Sequence, residues 1–241
     1  TCSPILFGAE LTYERNIGSA SHRDLTAQEF DGKSIAYQNE NYIMTDIDVY
    51  ETPGGLRYSM LLQENTDNRA WMQYKAILEY EFENLVKFLK LQNFRLTDWE
   101  VYMVNGNPRY AAIFVKNLEN YEWEFRFDQS KSYFVNYARL KSLRGFNIID
   151  LEVRTTNSGL RFASVWVKYA VKIRSKMYFA EPYEQFQQRI KQLQEQGWLM
   201  VNYEPYEEGN AKKYAVILHK QIDYSGIAHN NLTDLQFANG L

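Results

Sequence analysis

Two rhythms of apolar and polar positions run along this chain. Residues 95–102 (RLTDWEVY) and 109–116 (RYAAIFVK) are rich in β-branched and aromatic residues, the composition of strands with a buried face. Between them stands Asn105-Gly106-Asn107-Pro108, a turn signal, so the pair reads as a β-hairpin. The second rhythm steps by four and then three, as in Phe82, Val86 and Leu89 or Phe186, Ile190 and Leu193. That spacing places one apolar stripe along a helix.

Both rhythms recur with a fixed period. Strand-like segments begin at 43, 95, 147 and 199, and 95 − 43, 147 − 95 and 199 − 147 all equal 52. Arg57, Arg109, Arg161 and Lys213 share one register, as do Tyr58, Tyr110, Phe162 and Tyr214. Phe30, Phe82, Phe134 and Phe186 open the four helical stripes, and Asn41, Asn93, Gly145 and Gly197 stand where each helix should close. Asn and Gly best tolerate the left-handed backbone of a helix end. Thr26 with Glu29 spells a capping box, Ser130 suits the cap of the third helix, and Pro182 suits the first turn of the fourth.

The unit so defined is strand–turn–strand–helix. The chain then divides into a capping strand, loop and first helix over 1–42, repeats at 43–94, 95–146 and 147–198, and a partial repeat at 199–241, where Thr233–Asn239 resembles the stub of a fifth helix. A single unit cannot bury its own apolar face, so neighbours must stack. The expected fold class is α+β: one curved antiparallel sheet, half-barrel or open barrel, with helices on one side, forming a single domain over 1–241.

Composition narrows the chemistry. At 241 residues and 45% hydrophobic content the chain can build a core without external staples. Its net charge of −3 gives no pull toward nucleic acid, and no apolar run reaches the length of a membrane span. The only cysteine is Cys2, so no intrachain disulfide is expected; a free thiol near a terminus is the plain reading, lipidation or an interchain bond the other. A start at Thr1 suggests a processed or trimmed chain, and Asn231-Leu232-Thr233 is a glycosylation sequon. Together they point weakly to a secreted protein.

The tooth Gly106-Asn107-Pro108-Arg109-Tyr110-Ala111-Ala112-Ile113-Phe114, preceded by Trp99-Glu100-Val101 and followed by a helix closing on glycine, resembles the polyglycine-hydrolase-like repeat, also called bacterial tandem repeat domain 1. The resemblance covers about 43–220 and is best in the second and third repeats. It implies an all-repeat domain of half-barrel character, which in fungal polyglycine hydrolases stands beside a β-lactamase-like serine hydrolase domain. That catalytic domain has no counterpart here: no serine has a lysine three residues on, so its S-x-x-K nucleophile motif is missing.

Two acidic rows share the repeat, Asp48, Glu100, Glu152 and Glu204 in one and Asp46, Asp98 and Asp150 with Asn202 in the other. The first row reads as cross-strand ion pairs with Arg57, Arg109, Arg161 and Lys213, fixing hairpin register. A ligand-binding charged row is the alternative. The acids lie on separate strands without a calcium-type loop, so no metal site and no cofactor is expected. His22 and His229 fall in predicted loops, and His219 reads as an edge-strand residue meeting solvent, or as a general base.

A residue present in every repeat is explained by folding, whereas a break in the pattern is free to serve a ligand. The named breaks are Arg154, where the others carry Tyr50, Tyr102 and Tyr206; Trp166, where they carry Leu62, Phe114 and Leu218; and His219. Arg154 and Trp166 could form an aromatic wall beside a cation. These three are the candidate ligand-binding residues, with His219 the one catalytic candidate. The leading functional expectation is a secreted repeat-scaffold binding module that recognises a glycan, peptide, protein or small molecule through an aromatic-rich curved face. The alternative is a secreted, cofactor-independent enzyme of oxygenase or luciferase type, acting on an aromatic small molecule in the barrel mouth; an association of such repeats with marine-worm luciferases suggests it, and no motif in the chain adds to it.

Overall fold

Residues 18–156, 158–171 and 173–221 are described by a computed structural model of the protein. Cys2, His229, the sequon at 231–233 and the proposed fifth-helix stub lie outside the described residues.

Four units follow one another, each strand–helix–strand–strand. The first comprises β1 (Ser19–Leu25), α1 (Ala27–Asn39), β2 (Tyr42–Thr52) and β3 (Gly55–Glu64). The second has β4 (Trp71–Ile77), α2 (Glu79–Leu91), β5 (Phe94–Val104) and β6 (Asn107–Lys116). The third has β7 (Glu122–Ser130), α3 (Lys131–Leu143), β8 (Asn147–Thr156) and β9 (Gly159–Lys168), and the fourth β10 (Ile173–Glu181), α4 (Tyr183–Glu195), β11 (Leu199–Glu208) and β12 (Ala211–Gln221). All four helices have 13 residues.

The α+β class and the hairpins stand, but the single curved sheet does not. Each unit has its own three-stranded antiparallel sheet, with the last strand in the middle: β1-β3-β2, β4-β6-β5, β7-β9-β8 and β10-β12-β11. The strand before each helix was missed because it is short and interrupted. It carries a bulge at Asp24, Ala76 or Asp128, where φ turns positive (58°, 58° and 48°), and this breaks the alternation that marks a strand. Because that strand pairs with the following hairpin, the unit begins one strand and one helix earlier than the 43–94 division. The segment before residue 43 thus holds the first strand and the helix of a full first unit, which β2 and β3 complete.

The helix ends follow the sequence closely. Thr26 and Glu29 form the capping box, and Ser130 Oγ accepts from Tyr133 N at 3.4 Å. Pro182 sits one residue earlier than expected, at the N-cap of α4. Asn41, Asn93, Gly145 and Gly197 all have positive φ, between 58° and 81°.

Each helix lays its stripe on its own sheet through paired rings, tilted at 44° for Phe30 on Tyr58 in the first unit and stacked in the other three. Phe82 lies parallel to Tyr110 with centroids 5.0 Å apart, Phe134 on Phe162 at 4.9 Å, and Phe186 on Tyr214 at 5.3 Å. The opposite sheet face covers the preceding unit. Ala111, Ile113 and Val115 share a core with Phe30, Ile43 and Ile47 of the first unit. Ala163, Val165 and Val167 do the same for the second, and Ala215 and Ile217 for the third. Tyr58, Tyr102, Tyr110, Tyr137, Tyr206 and Tyr214 are buried, so much of the aromatic content builds this continuous core rather than an exposed face.

Candidate functional site

The acidic rows are not a hairpin ladder. Asp48, Glu100, Glu152 and Glu204 stand opposite Ser59, Ala111, Ala163 and Ala215, and the basic row faces positions 50, 102, 154 and 206 instead. Arg57 and Arg161 approach the bulge acids Asp24 and Asp128, at 3.4 and 4.0 Å. The small residues opposite the acids leave room for carboxylates between neighbouring sheets.

The acids close an edge. β2, β5, β8 and β11 are edge strands, whose outward N–H groups need acceptors. Asp98 Oδ2 takes Ile47 N of the preceding unit at 2.9 Å. Asp150 accepts from the backbone of Trp99, and Glu204 from that of Val153. Asn202, the one amide in the row, donates to Asp150 Oδ1 at 2.6 Å. Architecture therefore accounts for a row that recurs in every unit.

This arrangement gathers negative charge. Burial first, then Asp48 and Asp150, push Asp46 up to about 8. Burial alone lifts Asp150 to about 7 against its backbone donors. Burial and neighbouring carboxylates raise Asp98, Glu100 and Glu152 well above the ordinary range, and burial chiefly does so for Glu204. Burial raises Asp48 as well, against the nearby Arg23. Among the described residues no three His, Cys, Asp or Glu are grouped to hold a metal ion.

The three symmetry breaks named from sequence do not meet. Arg154 lies at the turn end of β8, its Nη2 2.9 Å from Asp128 Oδ1 and its guanidinium 5.5 Å from the Phe127 ring. With Trp99 and Glu152 it lines a void of only about 10 Å³. Trp166 sits five residues along β9 from Arg161, the partner of Arg154, and so on the opposite sheet face. It is 2% exposed, donates from Nε1 to Ser164 Oγ at 2.8 Å, and meets Tyr137 edge-on. His219 is on the central strand of its sheet and 0% exposed, not on an edge in solvent. Its Nε2–H donates to Ile148 O at 2.7 Å, and burial pulls its pKa down to about 4, so it is neutral at pH 7. His22, expected in a loop, is in β1, with Nε2 2.8 Å from Tyr37 Oη.

A larger break lies between the third and fourth units. In the first two units an asparagine after the hairpin clasps the linker. Asn65 bonds both the N–H and the C=O of Arg69, at 3.1 and 2.9 Å, and Asn117 does the same with Tyr121, at 3.1 and 3.0 Å. Trp71 and Trp123 then open the next strand and are buried. One period later the equivalents are Tyr169 and Ser175. An amide clasp and an indole are both replaced, and a cleft of about 900 Å³ opens there. Phe146, Asn147, Lys168, Arg174, Lys176 and Trp198 are among the residues that line it. Asn147 Nδ2 reaches Ser175 Oγ at 2.5 Å, and Lys176 Nζ lies 4.4 Å from the centre of the Trp198 ring. Fifty-two-residue bookkeeping carried past the hairpins into the linkers would have exposed this break, since W-to-S is visible at 71, 123 and 175.

Four like units, each closing its neighbour's sheet edge and core, define a tandem-repeat scaffold. The family model of the polyglycine hydrolase-like structural repeat matches the chain four times, at residues 16–65, 70–117, 120–169 and 175–221. The chain belongs to that repeat family. The matches follow the strand–helix–strand–strand phase, and their widest gap, 170–174, is the linker of the cleft. No curated protein matches the chain.

Proposed function

We propose that this protein is a binding module, a rigid repeat scaffold that holds its ligand in the cleft between the third and fourth units. One observation carries the reading: the cleft coincides with the place where the repeat loses both its asparagine clasp and its strand-opening tryptophan. A cleft of about 900 Å³ is also of the size that encloses a small ligand or a short stretch of a polymer. This places the ligand site away from Arg154 and Trp166, whose partners already occupy them, and replaces the aromatic curved face by a cleft between sheets.

The test is to fill the cleft. Ser175→Trp restores the residue that the two preceding linkers carry. Wild type and variant are screened on glycan and peptide arrays and against small-molecule sets. Ligands retained by wild type and lost by the variant support the reading. Ligands bound equally by both would refute it.

A further inference from the structure

We propose that the cleft selects a ligand bearing clustered sulfate or phosphate groups; this rests on the reading above that the cleft is the ligand site. The second linker enters its strand as Glu122-Trp123-Glu124, and the third enters as Arg174-Ser175-Lys176. The same three positions lose an indole and reverse both charges. Lys168 and Lys220 also line the cleft, and among the described residues no Asp or Glu does. Four cations among the described residues thus line one opening on a chain whose net charge is −3.

Folding explains some of these cations and not others. Lys220 Nζ donates to Gln196 O at the end of α4, as Lys116 donates to Gln92 O at the end of α2, so this lysine belongs to the repeat. Lys168 is held by Glu122 at 3.0 Å. Lys176 rests on Trp198, which orients its ammonium without neutralising it. Arg174 is exposed, and its equivalents are Ala70 and Glu122. Several cations lining one cleft give it a positive potential, which a ligand with several oxyanions complements. Arginine and lysine side by side suit tetrahedral oxyanions, the first by its forked donors and the second as a point charge. Ser175 Oγ and Asn147 lie between them as neutral polar groups.

The experiment is calorimetric titration of the full chain with three probes. A heparin-derived hexasaccharide supplies clustered sulfates, inositol hexakisphosphate supplies clustered phosphates, and maltohexaose is the neutral control. At least one polyanion is expected to bind, with affinity falling between about 50 and 200 mM salt, and the better of the two identifies the source. The double variant Arg174→Glu, Lys176→Glu should weaken that binding about tenfold or more. Arg139→Glu, an exposed charge reversal on α3, should not. Circular dichroism checks folding, and Arg174→Gln replaces the double variant if that one is not folded.

Failure to bind either polyanion overturns the proposal, as does an equal loss from Arg139→Glu. If maltohexaose binds and Ser175→Trp alone abolishes it, the cleft remains the ligand site and only the anionic class is wrong. If a polyanion binds and survives both Ser175→Trp and the charge reversals, the cleft is not the site and both readings fall.

Discussion

Asp150→Asn tests the acidic seam between the units. Asp150 is 2% exposed, and burial lifts its pKa from 3.8 to about 7. The folded pKa lies above the unfolded one, so its contribution to stability is intact below about pH 4 and is lost as pH rises through about 7. At about 1.4 kcal/mol per pH unit, holding the ionised group costs about 4 kcal/mol above pH 7. At pH 5 about 2 kcal/mol of that cost is already present, so about 2–3 kcal/mol falls between pH 5 and 8.5. Asparagine keeps an oxygen for the Asn202 amide and the Trp99 N–H while removing the charge. Its amide nitrogen replaces Oδ2, which has no hydrogen-bond partner, as the carboxyl proton does in wild type at low pH. The variant should therefore exceed wild type by about 1–2 kcal/mol at pH 5 and by about 4 kcal/mol at pH 8.5. Urea unfolding followed by tryptophan fluorescence at the two pH values measures the difference. A variant-minus-wild-type difference that does not grow from pH 5 to 8.5 would show that Asp150 is not held against its charge.

Phe134→Ala should cost about 3–5 kcal/mol, because the ring is fully buried and stacked on Phe162; an unchanged melting temperature would contradict it. Asn117→Ala should cost about 1–3 kcal/mol by releasing the two linker bonds to Tyr121, and hydrogen exchange at the Tyr121 amide should quicken. For His219 the sign is reversed. Its folded pKa of about 4 lies below the ordinary imidazole value of 6.5, so its stabilisation is present above about pH 6.5 and is lost as pH falls toward 4. In His219→Leu that acid-side loss should disappear, while stability at pH 7 falls by about 1–3 kcal/mol because Ile148 O loses its donor; nuclear magnetic resonance titration of the His219 ring in wild type checks the pKa itself.

The period of 52, the hairpins, the phenylalanine stripes and the left-handed helix ends were all legible from one chain. Each depends on local rules: turn residues, helical spacing, and the tolerance of Asn and Gly for positive φ. The β7 segment around Trp123 was not legible as a strand, because the bulge at Asp128 breaks its alternation. Spacing alone could not say whether hairpins join into one sheet, since the strand that flanks each central strand lies across a helix in sequence. The acidic rows show the same limit. Glu100 and Arg109 are near each other in sequence and look like a ladder, but Glu100 stands opposite Ala111, and Asp98 of the companion row is spent on Ile47 N, fifty-one residues away.

Candidate residues divided along the same line. The sequence singled out Trp166 and His219 as departures from the pattern, yet only the tertiary structure decides that both are buried in the core. It also decides that a tryptophan exchanged for Ser175 opens a cleft, because whether space left by a side chain remains open depends on the packing of two neighbouring units. What the chain determined alone is its repeating unit, by local conformational preference and the burial of one face. How units meet, where charge collects and where space is left follow from contacts between residues a full period or more apart, which no local rule encodes.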